Sequence, residues 1–336
     1  MADRTRLGWN GITAGDLDED GDIDYVVTNF GLNTKYHASA QHPALLYYGD
    51  FDQSGKMQLV EAEHEDDTLF PVRGKSCSTK AMPHLADKFH SYKEFALASL
   101  DEIYTPKCLD ESHRFAANEL RTGVFWNDRG TFRFQPLDRI AQIAPAFGVH
   151  VADVNLDGHS DIMLAHNFFV PQVETGRMDS GQGQVLLGNG QGDFQPVRPD
   201  ASGFQVPGDA RAFASADIDG DLLPEFLVAT NDGPVIAFRM GELQQRTKQQ
   251  IARLQLVGPP GNRQAVGANI IWNESGKALA QEISAGGGYL SQNAIAPMRA
   301  TDTSSNLSVT VTWPDGTQSH HDVTKGQTAT LNWSLE

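Results

Sequence analysis

The chain has 336 residues, with 43 Asp or Glu against 26 Lys or Arg, so its formal net charge is −17. A surface this acidic repels nucleic-acid phosphates and anionic lipid headgroups, and we expect no nucleic-acid partner. No run of the ~18 apolar residues needed for a membrane-spanning helix is present, so no membrane insertion is predicted. The composition, 40% hydrophobic with 32 Gly, is typical of a turn-rich all-β protein.

The N-terminal stretch MADRTRLGWNG lacks the apolar segment of a signal peptide. An acidic repeat begins almost at once, which predicts that an upstream segment has been lost or removed. The two cysteines, Cys77 and Cys108, flank one insert. The sequence leaves open whether they form a disulfide or remain free thiols.

A nine-residue acidic motif occurs three times, each time before an apolar run. It reads DLDEDGDID at 16–24, DVNLDGHSD at 153–161 and DIDGDLLPE at 217–225, with a weaker copy, DFDQSGKMQ, at 50–58. Two strand–turn–strand patterns, VFWNDRGTFRF at 124–134 and VLLGNGQGDFQ at 185–195, repeat in step with it. The hairpins lie 62 residues apart (Asn127 to Asn189) and the motifs that follow lie 64 apart (Asp153 to Asp217), which predicts a repeated structural unit.

The spacing of the oxygen-bearing side chains in this motif indicates a calcium loop. Side chains at positions 1, 3, 5 and 9 of a tight loop can converge on one hard cation, and Ca²⁺ takes about six to eight oxygens. Glycine at position 6 permits the positive φ that wraps the chain around the ion. Position 12 is apolar, not the Glu of an EF-hand, so a buried strand is expected instead. With position 7 included, the candidate ligands are Asp16, Asp18, Asp20, Asp22 and Asp24; Asp153, Asn155, Asp157, His159 and Asp161; and Asp217, Asp219, Asp221 and Glu225.

An alternative is a turn of Asp, Asn and Gly that binds no ion, since these residues favour turns in any case. The third copy weakens the calcium prediction because Leu222 replaces the wrapping glycine. In the fourth copy Gln58 replaces the last carboxylate and Ser54 weakens the middle, so an ion-free turn is expected there.

Residues 76–120 interrupt the β pattern. Apolar residues at helical spacing predict one amphipathic helix over 85–103, with Pro83 in its first turn, and a second helix across 110–120. They are Leu85, Phe89, Tyr92, Phe95, Ala96, Leu100 and Ile103. The apolar stripe is expected to pack on the β structure, with a partner-binding face as the alternative. Residues 241–252 begin with the polar stretch GELQQRTKQQ and are expected to form a linker or a short helix that joins the domains.

The Asp-x-Asp-x-Asp-Gly-x-x-Asp loop before an apolar strand resembles the FG-GAP/VCBS repeat, which builds the calcium-binding β-propeller of integrin α-subunits and many bacterial surface proteins. The segments GNRQAVGANIIW (261–272), AGGGYLSQN (285–293) and VTVTWPDGTQ (309–318) resemble the UnbV/ASPIC domain. That domain follows such propellers in bacterial proteins similar to cartilage acidic protein. The resemblance implies an all-β fold: a complete or partial β-propeller over 1–240 with four visible repeats and a helical insert at about 76–120, then a small all-β domain over 253–336.

No catalytic motif is recognised: Gly-x-Ser-x-Gly, P-loop and dinucleotide fingerprints are absent, and the histidines lack a zinc-site spacing. We therefore expect a Ca²⁺-stabilised module for binding or adhesion to protein or glycan, secreted, periplasmic or at the cell surface. One alternative is a structural subunit that self-associates through unpaired strand edges. Another is a hydrolase or lyase acting on polysaccharide through carboxylates that hold no metal.

Overall fold

The structure is a computed structural model that describes residues 8–241, 250–274, 277–294, 296–301 and 307–334. Its described residues are predominantly β, which confirms the predicted all-β class, and they form six sheets. The first fifteen strands are β1 Ile12–Gly15, β2 Asp24–Val27, β3 Ala44–Gly49, β4 Gln58–Glu65, β5 Thr68–Pro71, β6 His113–Ala117, β7 Gly123–Asp128, β8 Thr131–Pro136, β9 Ala146–Ala152, β10 Asp161–His166, β11 Gln184–Gly188, β12 Phe194–Val197, β13 Ala210–Ala216, β14 Glu225–Thr230 and β15 Val235–Phe238. The remaining strands are β16 Ile251–Val257, β17 Asn269–Glu274, β18 Lys277–Glu282, β19 Met298–Ala300, β20 Leu307–Thr312, β21 Gln318–Val323 and β22 Gln327–Asn332.

The helices are short. They are α1 Lys75–Ala81, α2 His84–Lys88, α3 Tyr92–Leu97, α4 Leu100–Tyr104, α5 Pro106–Glu111 and α6 Pro199–Ser202, with a 3₁₀ helix at Arg139–Gln142. None of the helices in the described residues is long and apolar enough to cross a membrane, in agreement with the sequence.

The chain divides into two compact units. The smaller contains Thr34–Leu120 and Gln172–Gly176, and the larger contains Trp9–Asn33, Arg121–Pro171 and the described residues from Arg177 onward. The smaller unit holds one sheet in the order β5-β4-β3-β6, which shares a core with α1–α5. Cys77 and Cys108 lie in this unit, and both are free thiols.

The prediction of one long helix followed by a helix over 110–120 is wrong. Ser91 and Ser99 each form a capping box, with Glu94 and Glu102, and thereby start new helices where a continuous helix was expected. Pro106 then begins α5, and residues 113–117 form β6, because they pair with the edge of β3. The helical spacing still identified buried positions correctly, since five of the seven apolar residues are buried; Tyr92 and Ala96 are exposed.

Three sheets of the larger unit repeat one pattern. Their orders are β1-β2-β7-β8, β9-β10-β11-β12 and β13-β14-β15, and their first strands, β1, β9 and β13, lie next to one another. The two predicted hairpins are confirmed as β7–β8 and β11–β12. Arg129 and Gly130 have φ of 51° and 88° in the first, as a tight hairpin turn requires.

Strand β10 explains how the sheets pack. Successive side chains of a strand point to opposite faces. Ile162 and Leu164 therefore enter the core shared with the first sheet, whereas Met163 and Ala165 enter the core shared with the third. All six residues of β10 are buried, because neighbouring sheets cover both of its faces.

We call the strands β16–β22 the C-terminal β domain. It has two sheets around one core. The sheet orders are β19-β16-β22 and β18-β17-β20-β21, and the core includes Leu254, Trp272 and Val309. Strands β20 and β21 form a hairpin whose turn is Trp313-Pro-Asp-Gly. Of the predicted linker, residues 242–249 lie outside the described residues, whereas Ile251 and Ala252 already belong to β16.

His166, at the end of β10, generates a prediction about acid stability. The side chain is fully buried, and this burial lowers its pKa to about 4. The folded state thus binds the proton more weakly than the unfolded state does. The contribution of neutral His166 to the free energy of unfolding is therefore complete above pH ~6.5 and is lost as the pH falls towards 4. Between pH 7 and 5 we expect the wild type to lose about 2 kcal/mol more stability than His166→Asn.

Denaturant unfolding of both proteins at the two pH values, in chelator, measures this difference. His84→Asn is the matched control, since it makes the same substitution at an exposed histidine of α2. Equal pH dependence in wild type and His166→Asn would contradict the prediction.

Three acidic loops as a candidate metal centre

The three acidic motifs occupy equivalent places in the larger unit. Loop 1 (16–24) joins β1 to β2, loop 2 (153–161) joins β9 to β10, and loop 3 (217–225) joins β13 to β14. In each, the acid at position 9 is the first residue of the second strand. The predicted repeat is thus present in three dimensions, and the predicted apolar strand follows each loop.

The acids at positions 1 and 9 close every loop by accepting backbone hydrogen bonds. The position-9 side chain accepts from the position-2 N–H: Asp24 from Leu17 at 3.0 Å, Asp161 from Val154 at 2.8 Å and Glu225 from Ile218 at 2.8 Å. The position-1 carboxylate accepts from the position-6 N–H: Asp16 from Gly21 at 3.2 Å, Asp153 from Gly158 at 2.8 Å and Asp217 from Leu222 at 3.1 Å. One hydrogen-bond scheme therefore shapes all three loops.

The backbone wraps as the glycine pattern predicts. Gly21 and Gly158 at position 6 both have φ of 93°. Leu222 takes the same place with φ of 77°, although its Cβ disfavours this region. The tertiary structure therefore imposes the loop shape even where glycine is missing.

In loop 1, three carboxylates converge. One oxygen from each of Asp16, Asp18 and Asp24 lies within 4.8 Å of the others. Asp16 and Asp24 are almost fully buried, and one buried oxygen each of Asp16 and Asp18 receives no hydrogen bond from any of the described residues. Asp20 instead accepts from the N–H of Asp22 at 2.8 Å, and Asp22 accepts from the N–H of Arg129 at 2.9 Å in the β7–β8 turn.

In loop 2, more of the candidate ligands' side-chain oxygens accept hydrogen bonds from protein donors than in loop 1. Asp161 is fully buried, and its second oxygen accepts from the N–H of Gly188 at 2.9 Å. Asn155 donates to Asp157 at 2.9 Å, and Asp157 accepts from the N–H of His159 at 2.9 Å. The His159 ring turns out of its loop towards Glu19 of loop 1, with Nδ1 and Oε1 2.6 Å apart.

In loop 3, two arginines contact the converging acids. Asp217, Asp219 and Glu225 each place an oxygen within 4.8 Å of the others, as in loop 1. Arg253 of β16 forms an ion pair with Asp217, and the Arg239 guanidinium lies 3.0 Å from Asp219 and 3.6 Å from Glu225. The carboxyl group of Asp221 accepts from the N–H of Leu223 at 2.9 Å.

The electrostatics follow these contacts. Burial, reinforced by neighbouring carboxylates, raises the pKa of Asp16 to about 7 and of Asp24 to about 6. Burial likewise raises the pKa of Asp153 to about 6 and of Asp161 to about 8. For Asp217, burial raises the pKa, but the hydrogen bond and charge of Arg253 outweigh it and the pKa is lowered. An adjacent cation favours the charged form of a buried carboxyl group, as the lowered pKa of Asp217 beside Arg253 shows.

The C-terminal β domain touches all three loops. The N–H of Ala280 donates to Asp16 at 2.9 Å, Arg299 donates to the Gly158 carbonyl, and Arg253 pairs with Asp217. An apolar cluster beside these contacts joins Leu156 and Leu223 of the loops to Ile251 and Ala300 of the domain. Neither the two arginines nor Ala280 was singled out from sequence, because no local pattern marks residues that come from other strands.

The fourth copy, at 50–58 in the smaller unit, has the same backbone scheme with an amide at its end. Gln58 accepts from the N–H of Phe51 at 2.8 Å and donates to Asp52 at 2.8 Å. Asp50 accepts from the N–H of Gly55 at 2.8 Å. The side-chain amide supplies both a donor and an acceptor, so protein groups close this loop, and the ion-free turn expected from the sequence stays a prediction.

Comparison with known proteins gives one result for the C-terminal region. Residues 258–334 match the family model described as ASPIC and UnbV. The match contains strands β17–β22, that is, all the strands of the C-terminal β domain except β16. This confirms the predicted identity of that domain, whereas the FG-GAP/VCBS assignment of the preceding repeats stays a prediction. The search of curated proteins finds no match to the chain.

Glu19, at position 4 of loop 1, connects two loops to the C-terminal β domain and generates a prediction. Its nearly buried carboxylate contacts His159 and also Lys277 of β18, at 2.8 Å. We expect Glu19→Gln to destabilise the protein by about 2 kcal/mol, since hydrogen bonds to charged groups contribute about this much. Denaturant unfolding at pH 7 measures the change.

The control is Glu111→Gln, which removes an exposed pair with Lys107 at 3.9 Å and should cost less than about 0.5 kcal/mol. Equal effects of the two substitutions would show that the Glu19 contacts contribute no more than an exposed ion pair does.

Proposed function

We propose that this protein is a calcium-stabilised binding or adhesion module with a propeller-like N-terminal part and a C-terminal ASPIC/UnbV domain. The observation that carries the proposal is the convergence of three acidic side chains in loop 1, where two buried oxygens have no donor in the part of the chain that the structure describes. Leaving such groups unpaired costs free energy that a bound cation would recover.

The donor set favours Ca²⁺ among the common cations. All the converging atoms in loop 1 are carboxylate oxygens, which suit a hard cation and not one that prefers sulfur or imidazole. Ca²⁺ accepts irregular oxygen geometry, whereas Mg²⁺ demands a near-ideal octahedron. Asp16, Asp18, Asp20 and Asp24 would hold the ion in loop 1, and Asp153, Asn155, Asp157 and Asp161 would hold a second in loop 2.

In this proposal the ion has a structural role. It would neutralise the buried acids and hold each first strand to the second at the strand ends. Three sheets with adjacent first strands are compatible with the radial order of a propeller, whose loops offer a broad face to a protein or glycan. We also propose a location outside the cytosol or at the cell surface, where calcium modules work at Kd of roughly 0.1–1 mM.

Calcium should therefore raise the thermal unfolding midpoint. A ligand that binds only the folded form adds about 2.7 kcal/mol per site at a hundredfold excess over its Kd. We expect a higher midpoint in calcium than in chelator at matched ionic strength, and a smaller increase with Mg²⁺. Asp16→Asn should remove the contribution of loop 1.

The matched control for that substitution is Asp50→Asn, which changes position 1 of the ion-free fourth loop. It should leave the calcium-induced shift unchanged, whatever its effect on stability. A wild-type midpoint that is the same in calcium and chelator would refute the calcium proposal.

A second candidate function, self-assembly, is favoured by one edge of the fold. Among the described residues, which leave out 242–249, the sheet β13-β14-β15 has three strands where its two neighbours have four, so β15 is its last described strand, and Val235 on it is 63% exposed. Such an edge can pair with another chain. Light scattering over a hundredfold range of protein concentration tests this: growth in mass that Val235→Lys abolishes would support assembly, and a constant monomer mass would exclude it.

A further inference from the structure

We propose that Arg253 is the resident cation of loop 3: a guanidinium group of the C-terminal β domain takes the place that a metal ion would take, so the loop is a docking site for that domain. This inference goes beyond the calcium role proposed for loops 1 and 2 and makes a different statement about the third loop.

The first argument is the identity of the partner on the position-1 acid. The three loops share one backbone scheme, yet only in loop 3, among the described residues, does an arginine contact that acid. Asp16 of loop 1 is contacted by the backbone N–H of Ala280. In loop 2 the nearby Arg299 donates to the Gly158 carbonyl; its charge lowers the pKa of Asp153 against the effect of burial, but the described residues show no ion pair between the two.

The second argument is burial. The side chains of Asp217 and Arg253 are 7% and 16% exposed, so their ion pair is shielded from water and salt. Removing one partner of such a pair leaves an uncompensated charge, which makes the arginine hard to displace. A cation entering the loop would have to displace it and leave the guanidinium without its acid.

The third argument is charge balance and position. Arg239 lies against Asp219 and Glu225, so two guanidinium groups face the three converging acids of loop 3. Arg253 is on β16, the first strand of the C-terminal β domain, and Ile251 of that strand packs with Leu223 of loop 3. Polar and apolar contacts therefore attach the same strand to the same loop.

The first experiment counts calcium ions by titration calorimetry and equilibrium dialysis. We expect two ions per wild-type chain, two for Asp217→Asn and one for Asp16→Asn. Three ions in the wild type, with one lost in Asp217→Asn, would overturn the inference. If the wild type binds no calcium, the calcium proposal fails, and the role of Arg253 is decided by the second experiment alone.

The second experiment measures thermal unfolding midpoints in calcium and in chelator. Asp217→Asn and Arg253→Gln should each lower the midpoint by roughly 5 °C or more, by the same amount in both conditions. The double variant should lose little more than either single variant, because both remove one interaction. A loss for Asp217→Asn confined to calcium, or fully additive losses, would overturn the inference.

The control is Arg198→Gln, which breaks an exposed ion pair with Asp200 at 2.6 Å and should leave the midpoint unchanged. If Arg253→Gln does not fold, Arg239→Gln replaces it, since Arg239 is 71% exposed and we expect its substitution to leave the fold intact. Its smaller loss must again be equal in calcium and chelator. A loss seen only in calcium would count against the inference.

Discussion

The larger unit depends on burying an acid at the start of the second strand of each repeated sheet. Asp24, Asp161 and Glu225 close their loops by accepting the N–H of position 2, and this closure sets where the strand begins. The hydrogen bond requires an oxygen acceptor in a buried place, yet burial makes a carboxylate charge costly. Each loop must therefore satisfy its backbone and also compensate its charge.

The four copies of the motif satisfy their backbone N–H groups in the same way, but they compensate the charge of their acids in different ways. Loop 3 has arginines on its acids, and the fourth copy replaces the terminal carboxylate with the amide of Gln58. Loops 1 and 2 retain buried acids with raised pKa values, which is where a divalent cation has the most to contribute. The backbone scheme is thus the constant feature, and charge compensation is the feature that varies.

Features that depend on residues close together in the sequence were predictable, and contacts between residues far apart in the sequence were not. The loops, their strands and the hairpins could be predicted, because a turn glycine or an alternating apolar pattern acts over a few residues. The long helix was wrong because Ser91 and Ser99 cap new helices, and a periodic stripe does not distinguish one helix from several in line. The partners of the acids were not predictable: Arg253 and Lys277 lie 36 and 258 residues from Asp217 and Glu19.

The contacts of the C-terminal β domain indicate what each kind of compensation does for the fold. At loop 1 the domain offers a backbone N–H to Asp16, which leaves the second Asp16 oxygen for another ligand. At loop 3 it offers a guanidinium, which satisfies the acid outright. An attachment through Arg253 would hold whatever the calcium concentration, whereas one through loop 1 would strengthen when the loop is loaded. If loop 1 binds calcium as proposed, a domain with both kinds of contact would stay attached in low calcium through Arg253 and gain a second attachment when the ion is bound.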